Sequence, residues 1–355
     1  MLIHINKMVS VSKYITEKMI NSTTLTYDEW RTKSQKIKDG CERTIEAATS
    51  NFKYNSAVYD DLWKLSFNDT AKIKRWSKKN LQSSVERGEE NRYSLASAFT
   101  IQVGSPNTNT SRLNDLGRLA AELTSMVPPI AAEWLGILAA IMPTEGKSGY
   151  SDVCTRIDTT RITLAEQLAV LYGIMIARGA LQMKSVLSIV LDSLYYNTQQ
   201  LHRQTEPKLA QRTRDNIRLC CAFLLNILRS APPKDFLAEV TDRHLLKDVQ
   251  AQLSIEVLVN ILKTLMFVAS DLIRPKLSSN VDYVSHSVRV DAYKTIDSSN
   301  FLKNAPKDVS DMAFQILKVI CSEGWVKEKC LCQGEKFVNQ LLDRKLSISK
   351  GSGSS

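Results

Sequence analysis

The chain has 355 residues, 43% of them hydrophobic and 24% charged, with 47 Lys+Arg against 37 Asp+Glu for a formal net charge of +10. This balance excludes disorder along the whole length and provides for one large or two medium domains with a sizeable core. Only 13 Gly and 9 Pro punctuate the sequence, too few for a turn-dense all-β architecture and suited to helices joined by short loops.

Residues 1–90 alternate weak helical patterns with polar loops. Asp28 heads a predicted helix carrying Trp30, Ile37, Cys41 and Ile45. The stretch 68–90 is the most charged of the chain, has few apolar anchors, and reads as an exposed helix or a partly mobile linker. From Asn91 the patterns strengthen. A helix is predicted over 91–103, closed by the breaker cluster Gly104-Ser105-Pro106. Leu113, Leu116, Leu119, Ala120 and Leu123 then recur at three- and four-residue spacing and line one helix face. Pro128-Pro129 stops that helix and opens another carrying Trp134, Leu135, Ile137, Leu138 and Ile141, before a Gly- and Ser-rich loop over 143–151.

The strongest block is 161–271. Three apolar-periodic segments, 162–178, 181–196 and 212–229, are separated by Gly179 and by the polar stretch 197–207, and Pro232-Pro233 ends the third. A fourth, 245–272, follows Thr241 and Asp242, either of which can accept an orphan helix N–H as N-cap. In it Glu256, Asn260, Lys263 and Thr264 form a thin polar stripe on an otherwise apolar helix, the pattern of a helix packed on several sides. Residues 274–306 read as an extended loop, and two final helices are predicted over 309–322 and 335–346. No fixed repeat period is sustained. The fold class predicted is all-α: antiparallel helical hairpins stacked as an α-solenoid, HEAT-like in structure, or an irregular helical bundle. The chain divides into a charged helical segment over 1–90, a scaffold domain over 91–346 and a flexible tail over 347–355.

The chemistry is sparse. The most apolar run, 253–269, contains Glu256, Asn260 and Lys263, so a membrane-spanning stretch of about 20 uncharged residues is missing. The first residues lack the apolar core of a signal peptide, and Glu17 with little Arg argues against a transit peptide. Seven cysteines, an odd number set mostly in apolar helical patterns, suit a reducing compartment. Cys330-Leu331-Cys332, with Cys321 nearby, lacks the spacing and the histidine that structural zinc requires, and reads as buried thiols. Cys220-Cys221 reads as core packing. The histidines His4, His202, His244 and His286 have no partner acid or nucleophile in a recognisable local pattern, and His244 reads as structural or partner-facing. Three sequons occur, at Asn21, Asn68 and Asn109, but such triplets arise by chance and imply glycosylation only in secreted chains. No phosphate-loop, dinucleotide, nucleophile-elbow or zincin motif occurs, and Glu145-Gly146-Lys147-Ser148-Gly149 imitates only the end of a phosphate loop. No catalytic, cofactor-binding or metal residue is therefore assigned.

One cluster stands out. Lys72, Lys74, Arg75, Lys78 and Lys79 place five basic side chains within eight residues around Trp76. Such a run neutralises phosphates with the indole stacked on a base, serves as a nuclear-import signal, or forms a solvated face with Trp76 tucked against the core.

Several strings resemble the central helical region of the Mediator subunit 12 family. They are Asn91-Arg92-Tyr93-Ser94; Arg112-Leu113-Asn114-Asp115, then Ala121-Glu122-Leu123-Thr124; and Ala132-Glu133-Trp134-Leu135-Gly136-Ile137-Leu138. Ile176-Ala177-Arg178, Asp242-Arg243-His244-Leu245-Leu246, and the run Ile320-Cys321-Ser322-Glu323-Gly324-Trp325-Val326-Lys327-Glu328-Lys329-Cys330-Leu331 complete the set. Their shared order over about 240 residues carries the resemblance; 1–90 and the segment between Leu272 and Asp311 carry little of it. The resemblance implies a nuclear scaffold of the Mediator kinase module, regulating RNA polymerase II transcription by binding rather than by reaction. The partners it implies are cyclin C with its cyclin-dependent kinase, the large Argonaute-like subunit and transcription regulators. Two other readings of the residues stay open: a basic helical nucleic-acid-binding protein, and an enzyme whose site is assembled from dispersed residues.

Overall fold

The structure, a computed structural model, describes residues 47–49, 51–64, 69–144, 149–229, 236–237, 239–269 and 309–331. Among them the regular secondary structure is entirely α-helical. In chain order come α1 (Ala57–Trp63), α2 (Thr70–Asn80), α3 (Gly88–Val103), α4 (Thr110–Met126), α5 (Ile130–Ile141) and the single turn α6 (Ser151–Cys154). Then follow α7 (Ile162–Ala177), α8 (Met183–Arg203), α9 (Pro207–Leu228), α10 (Val240–Gln252), α11 (Ile255–Ala269), α12 (Val309–Ser322) and α13 (Gly324–Leu331). The expected helix headed by Asp28, the loop 274–306, the helix 335–346, the tail and the string at 145–148 lie outside the described residues.

The helices stack in two rows. One row runs α1, α3, α5, α8, α11 and the other α2, α4, α7, α9, α12, each helix packing on the next in its row. Contacts between the rows join α1 to α2, α3 to α4, α8 to α9 and α11 to α12. This is the nearest-neighbour layering of an α-solenoid. Three helices lie outside the rows: the single turn α6 packs on α5 and α3, α10 rests on α7, and α13 packs on α12 and α11.

Helix α7 occupies the middle. From Leu164 to Ala177 it buries every residue except Glu166 and Gln167, because α3, α4, α9 and α10 all pack on it. Its end is encoded by one residue. Gly179 has φ 73, and the turn it permits carries Gly179 N–H to the Ile176 carbonyl (3.0 Å) and Ala180 N–H to the Met175 carbonyl (2.8 Å). That pair of bonds is a Schellman motif, which a residue with a Cβ resists.

Over 69–90 the helical one of the two readings holds: Asp69 caps α2 by accepting from Lys72 N–H at 3.0 Å, and Ile73 and Leu81 are fully buried. Few anchors suffice because Ile73, Ser77 and Leu81 fall four residues apart on one face. Elsewhere the structure departs from expectation in three places. Helix α8 runs seven residues past the expected end at 196. Asn197 and Thr198 look like loop formers, but they donate to the carbonyls of Ser193 and Leu194 one turn back, at 2.8 and 2.7 Å. The expected segment 245–272 is two helices, broken at Leu253 and Ser254, where the Ser254 hydroxyl accepts from Val257 N–H at 3.4 Å. The expected cap of α10 also fails. Its first helical residue is Val240, and Asp242 turns inward instead.

Cys220 and Cys221 sit fully buried in α9, and burial pushes the Cys220 thiol up to about 12. An exposed thiol is partly ionised near neutrality, and this one is not. We expect neither cysteine to be alkylated in the native protein at pH 7.5, and both to react after unfolding in guanidinium, as read by peptide mass. Prompt labelling of Cys220 would mean that the α8–α9 seam opens.

Candidate functional site

The five basic residues singled out in the sequence all lie exposed on α2. At 100° per residue, Lys74, Lys78, Arg75, Lys79 and Lys72 fill a continuous arc of about 160°, opposite the buried Ile73 and Ser77. Lys72 pairs with the capping Asp69 at 3.0 Å. Among the described residues no carboxylate forms an ion pair with Lys74, Arg75, Lys78 or Lys79. Trp76 is only half-exposed and packs against the core, at the edge of the arc. The far end of α2 is pinned as well. Asn91 Nδ2 donates to the Asn80 carbonyl (2.8 Å) and Arg92 Nη1 to the Leu81 carbonyl (2.9 Å). These bonds satisfy carbonyls that a helix C-terminus leaves free.

A second constellation was not expected from the sequence. Asp242, with its side chain 0% exposed, receives Arg178 Nε at 3.0 Å, and Arg118 Nε lies 3.7 Å from its other oxygen. Glu239 takes Arg118 Nη2 at 2.8 Å, and Asp115 faces Arg118 Nη1 at 3.8 Å. The cluster ties α4, α7 and α10 together. Its charges also suit the helix ends, with two acids at the start of α10 and Arg178 at the C-cap of α7.

A third constellation surrounds Glu133 on α5. The buried carboxyl accepts from the Tyr150 hydroxyl, and the Tyr150 ring stacks on Tyr93 of α3 with centroids 4.6 Å apart. Burial raises the Glu133 pKa, a shift that the Tyr150 bond and Arg92 only moderate. One turn along α5, Gly136 leaves space for the chain at 47–49. A Cβ there would stand 2.2 Å from the Ala48 carbonyl oxygen, while Ala48 N–H donates to the Ala132 carbonyl at 2.9 Å. A carboxyl raised on folding binds its proton more tightly in the native state, so it stabilises most at pH below the unfolded value, and that contribution fades as pH rises through the folded value. We expect Glu133→Gln, which keeps an acceptor for Tyr150, to flatten this acid-favouring component. Urea midpoints at pH 4.5 and 7.5 should differ less in the variant than in the wild type, and equal pH responses would contradict the reading.

The other residues noted in the sequence do not converge with these. His244 is exposed on α10, the Cys321 side chain is half-buried on α12, and Asn109 caps α4 by accepting from Arg112 N–H at 2.9 Å. Among the described residues no group of three or more His, Cys, Asp or Glu is placed to hold a metal ion, and no helix is long and apolar enough to cross a membrane.

No protein-family model matches the chain. Comparison with curated proteins does find relatives. Human Mediator of RNA polymerase II transcription subunit 12-like protein is 25% identical over 326 residues, covering 85% of this chain and 14% of that protein. Zebrafish (Danio rerio) Mediator of RNA polymerase II transcription subunit 12 is 27% identical over 263 residues, covering 68% of this chain and 11% of the relative. The mouse subunit 12-like protein is 24% identical over 329 residues, 85% of this chain and 14% of its own length. The chain is a divergent homologue of Mediator subunit 12. It spans no more than about one seventh of the length of these relatives.

The strings that carry the resemblance to Mediator subunit 12 coincide with the joints of the solenoid. Asn91 and Arg92 close α2, Tyr93 stacks on Tyr150, and the Ser94 hydroxyl accepts from Asn55 N–H at 3.1 Å. Glu133, Trp134 and Gly136 form the α5 joint. Asp115, Arg178 and Asp242, from three separate strings, meet in the ion-pair cluster. In the last string Trp325 Nε1 donates to the Leu228 carbonyl at 3.2 Å, and Lys329 Nζ to the Ala251 and Leu253 carbonyls, so α13 closes the ends of α9 and α10.

Proposed function

We propose that the chain is a protein-binding scaffold segment of the Mediator kinase module, acting in the nucleus to regulate RNA polymerase II transcription. The observation that carries this reading is the coincidence just described: the strings that carry the resemblance to Mediator subunit 12 supply residues that tie neighbouring helices together. A fold built on such joints presents surface. Stacked helices offer extended faces and grooves that partner helices or disordered segments occupy. On this reading the partners are cyclin C with its cyclin-dependent kinase, the large Argonaute-like subunit and transcription regulators, and the chain itself performs no reaction.

The test is co-purification. A tagged full chain expressed in its own cells and recovered from nuclear extract should bring down the kinase-module subunits, identified by mass spectrometry. A folded chain that returns none of them while core Mediator subunits are present in the extract would remove the proposal. Substitutions at exposed helix positions, leaving the ion-pair and Trp134 joints intact, would then map the contacting face.

A further inference from the structure

We propose that the cationic face of α2 is a sequence-independent contact for the phosphate backbone of duplex DNA. This inference is independent of the kinase-module reading. Three observations carry it. The face is unbroken: five cations cover an arc of about 160°, with Asp69 at the helix start as the acid paired to it. Four of the cations have no ion-pair partner among the described residues. The helix is also held rigidly, capped by Asp69 at one end, closed by Asn91 and Arg92 at the other and anchored by Ile73 and Leu81 beneath. A preorganised array of charge loses little side-chain and backbone freedom on binding beyond its own rotamers.

The shape selects among polyanions. Lys74 and Lys78 flank one side of the helix, Lys72 and Lys79 the other, and Arg75 stands at the crown. A helix about 10–12 Å across enters the B-form major groove, where such flanks meet the two phosphate ridges. The deep, narrow major groove of duplex RNA does not admit it. Single strands are held by stacking on exposed aromatic rings, and the one aromatic of the helix, Trp76, is partly buried against the core at the edge of the arc. An acidic peptide with apolar anchors finds no apolar groove within the arc.

The experiment is fluorescence anisotropy of a labelled 20-base-pair DNA of mixed sequence titrated with the full chain. Four phosphate contacts predict a slope of log K against log salt near −3.6, so affinity falls roughly a hundredfold between 50 and 200 mM salt. Lys74→Gln/Lys78→Gln/Lys79→Gln changes only exposed side chains and should retain the wild-type circular dichroism. It should weaken binding at least tenfold at 50 mM salt and make the slope shallower by about 2.7. A scrambled duplex should bind equally. No binding at 50 mM salt, an unaltered affinity in the triple variant, or tighter binding of a single-stranded RNA or of a poly-glutamate competitor would each overturn the proposal.

Discussion

Replacing Trp134 with alanine is expected to lower the stability of the folded chain by about 3–5 kcal/mol, the range for removing a fully buried indole. Trp134 is 0% exposed at the centre of α5 and meets Phe99 of α3 edge to face, with ring centroids 5.8 Å apart. It does more than fill space. Its Nε1 donates to the Thr124 hydroxyl of α4 at 2.8 Å, and its backbone carbonyl accepts from the Tyr172 hydroxyl of α7 at 2.7 Å. One residue thus joins helices of both rows, at the level where α5 and α7 succeed α3 and α4. Truncation opens a cavity bordered by all four and leaves a polar atom of Thr124 with one partner fewer. A fall in melting temperature of about 10 °C should follow by circular dichroism. Trp134→Phe, which restores ring volume but not the donor, should lose roughly 1–2 kcal/mol. If alanine lowered stability by less than about 1 kcal/mol, the indole would not be the joint it is taken to be.

How much of this was legible in the sequence depends on distance along the chain. The apolar face of α4 was read residue by residue, since Leu113, Leu116, Leu119, Ala120 and Leu123 are all buried as their spacing requires. The bounds of α12 fell where periodicity placed them, at 309 and 322. Local polarity misled where a side chain folds back on its own helix. Asn197 looked like a loop former, yet it is satisfied by the Ser193 and Pro143 carbonyls and accepts from Asn216 Nδ2 at 3.2 Å. The break between α10 and α11 had a signal in Ser254, a capping residue hidden inside a long apolar run. The basic run on α2 was plain in composition, but its rigid mounting was not, because the clamps come from Asn91 and Arg92, which are 11 residues away. The ion-pair cluster left no local trace at all. Arg178 and Asp242 stand 64 positions apart, and no short-range rule links a helix-end arginine to an aspartate in the first turn of a later helix.

That cluster makes the second large prediction. Asp242→Ala should destabilise the chain by about 3 kcal/mol, since removing one member of a buried pair leaves the other charge desolvated without its counter-ion. The aspartate is wholly buried while Arg178 and Arg118 are 18% and 28% exposed, so the stranded guanidinium groups keep partial hydration, and the loss belongs at the low end of that range. Glu239 is left to face both arginines and cannot replace the 3.0 Å bond from Arg178 Nε. The exposed pair Lys64–Asp61, with side chains 74% and 63% accessible, is the internal control, and Asp61→Ala should shift stability by less than about 0.5 kcal/mol. The two substitutions should also differ in salt response, since the surface pair is screened and the buried one is not. Helix α10 stands outside the two rows and packs chiefly on α7, with Gln250 Nε2 donating to the Ile227 carbonyl of α9 at 2.7 Å as a further tie, so its detachment should precede global unfolding. Amide hydrogen exchange across 240–252 should therefore rise in the Asp242 variant before that of α4 or α7 does. Unchanged exchange in α10, or a melting temperature within about 1 °C of the wild type, would show that apolar packing alone seats this helix. Restoring stability by adding Arg178→Met to Asp242→Leu would show the converse: a buried pair whose geometry matters more than its charge.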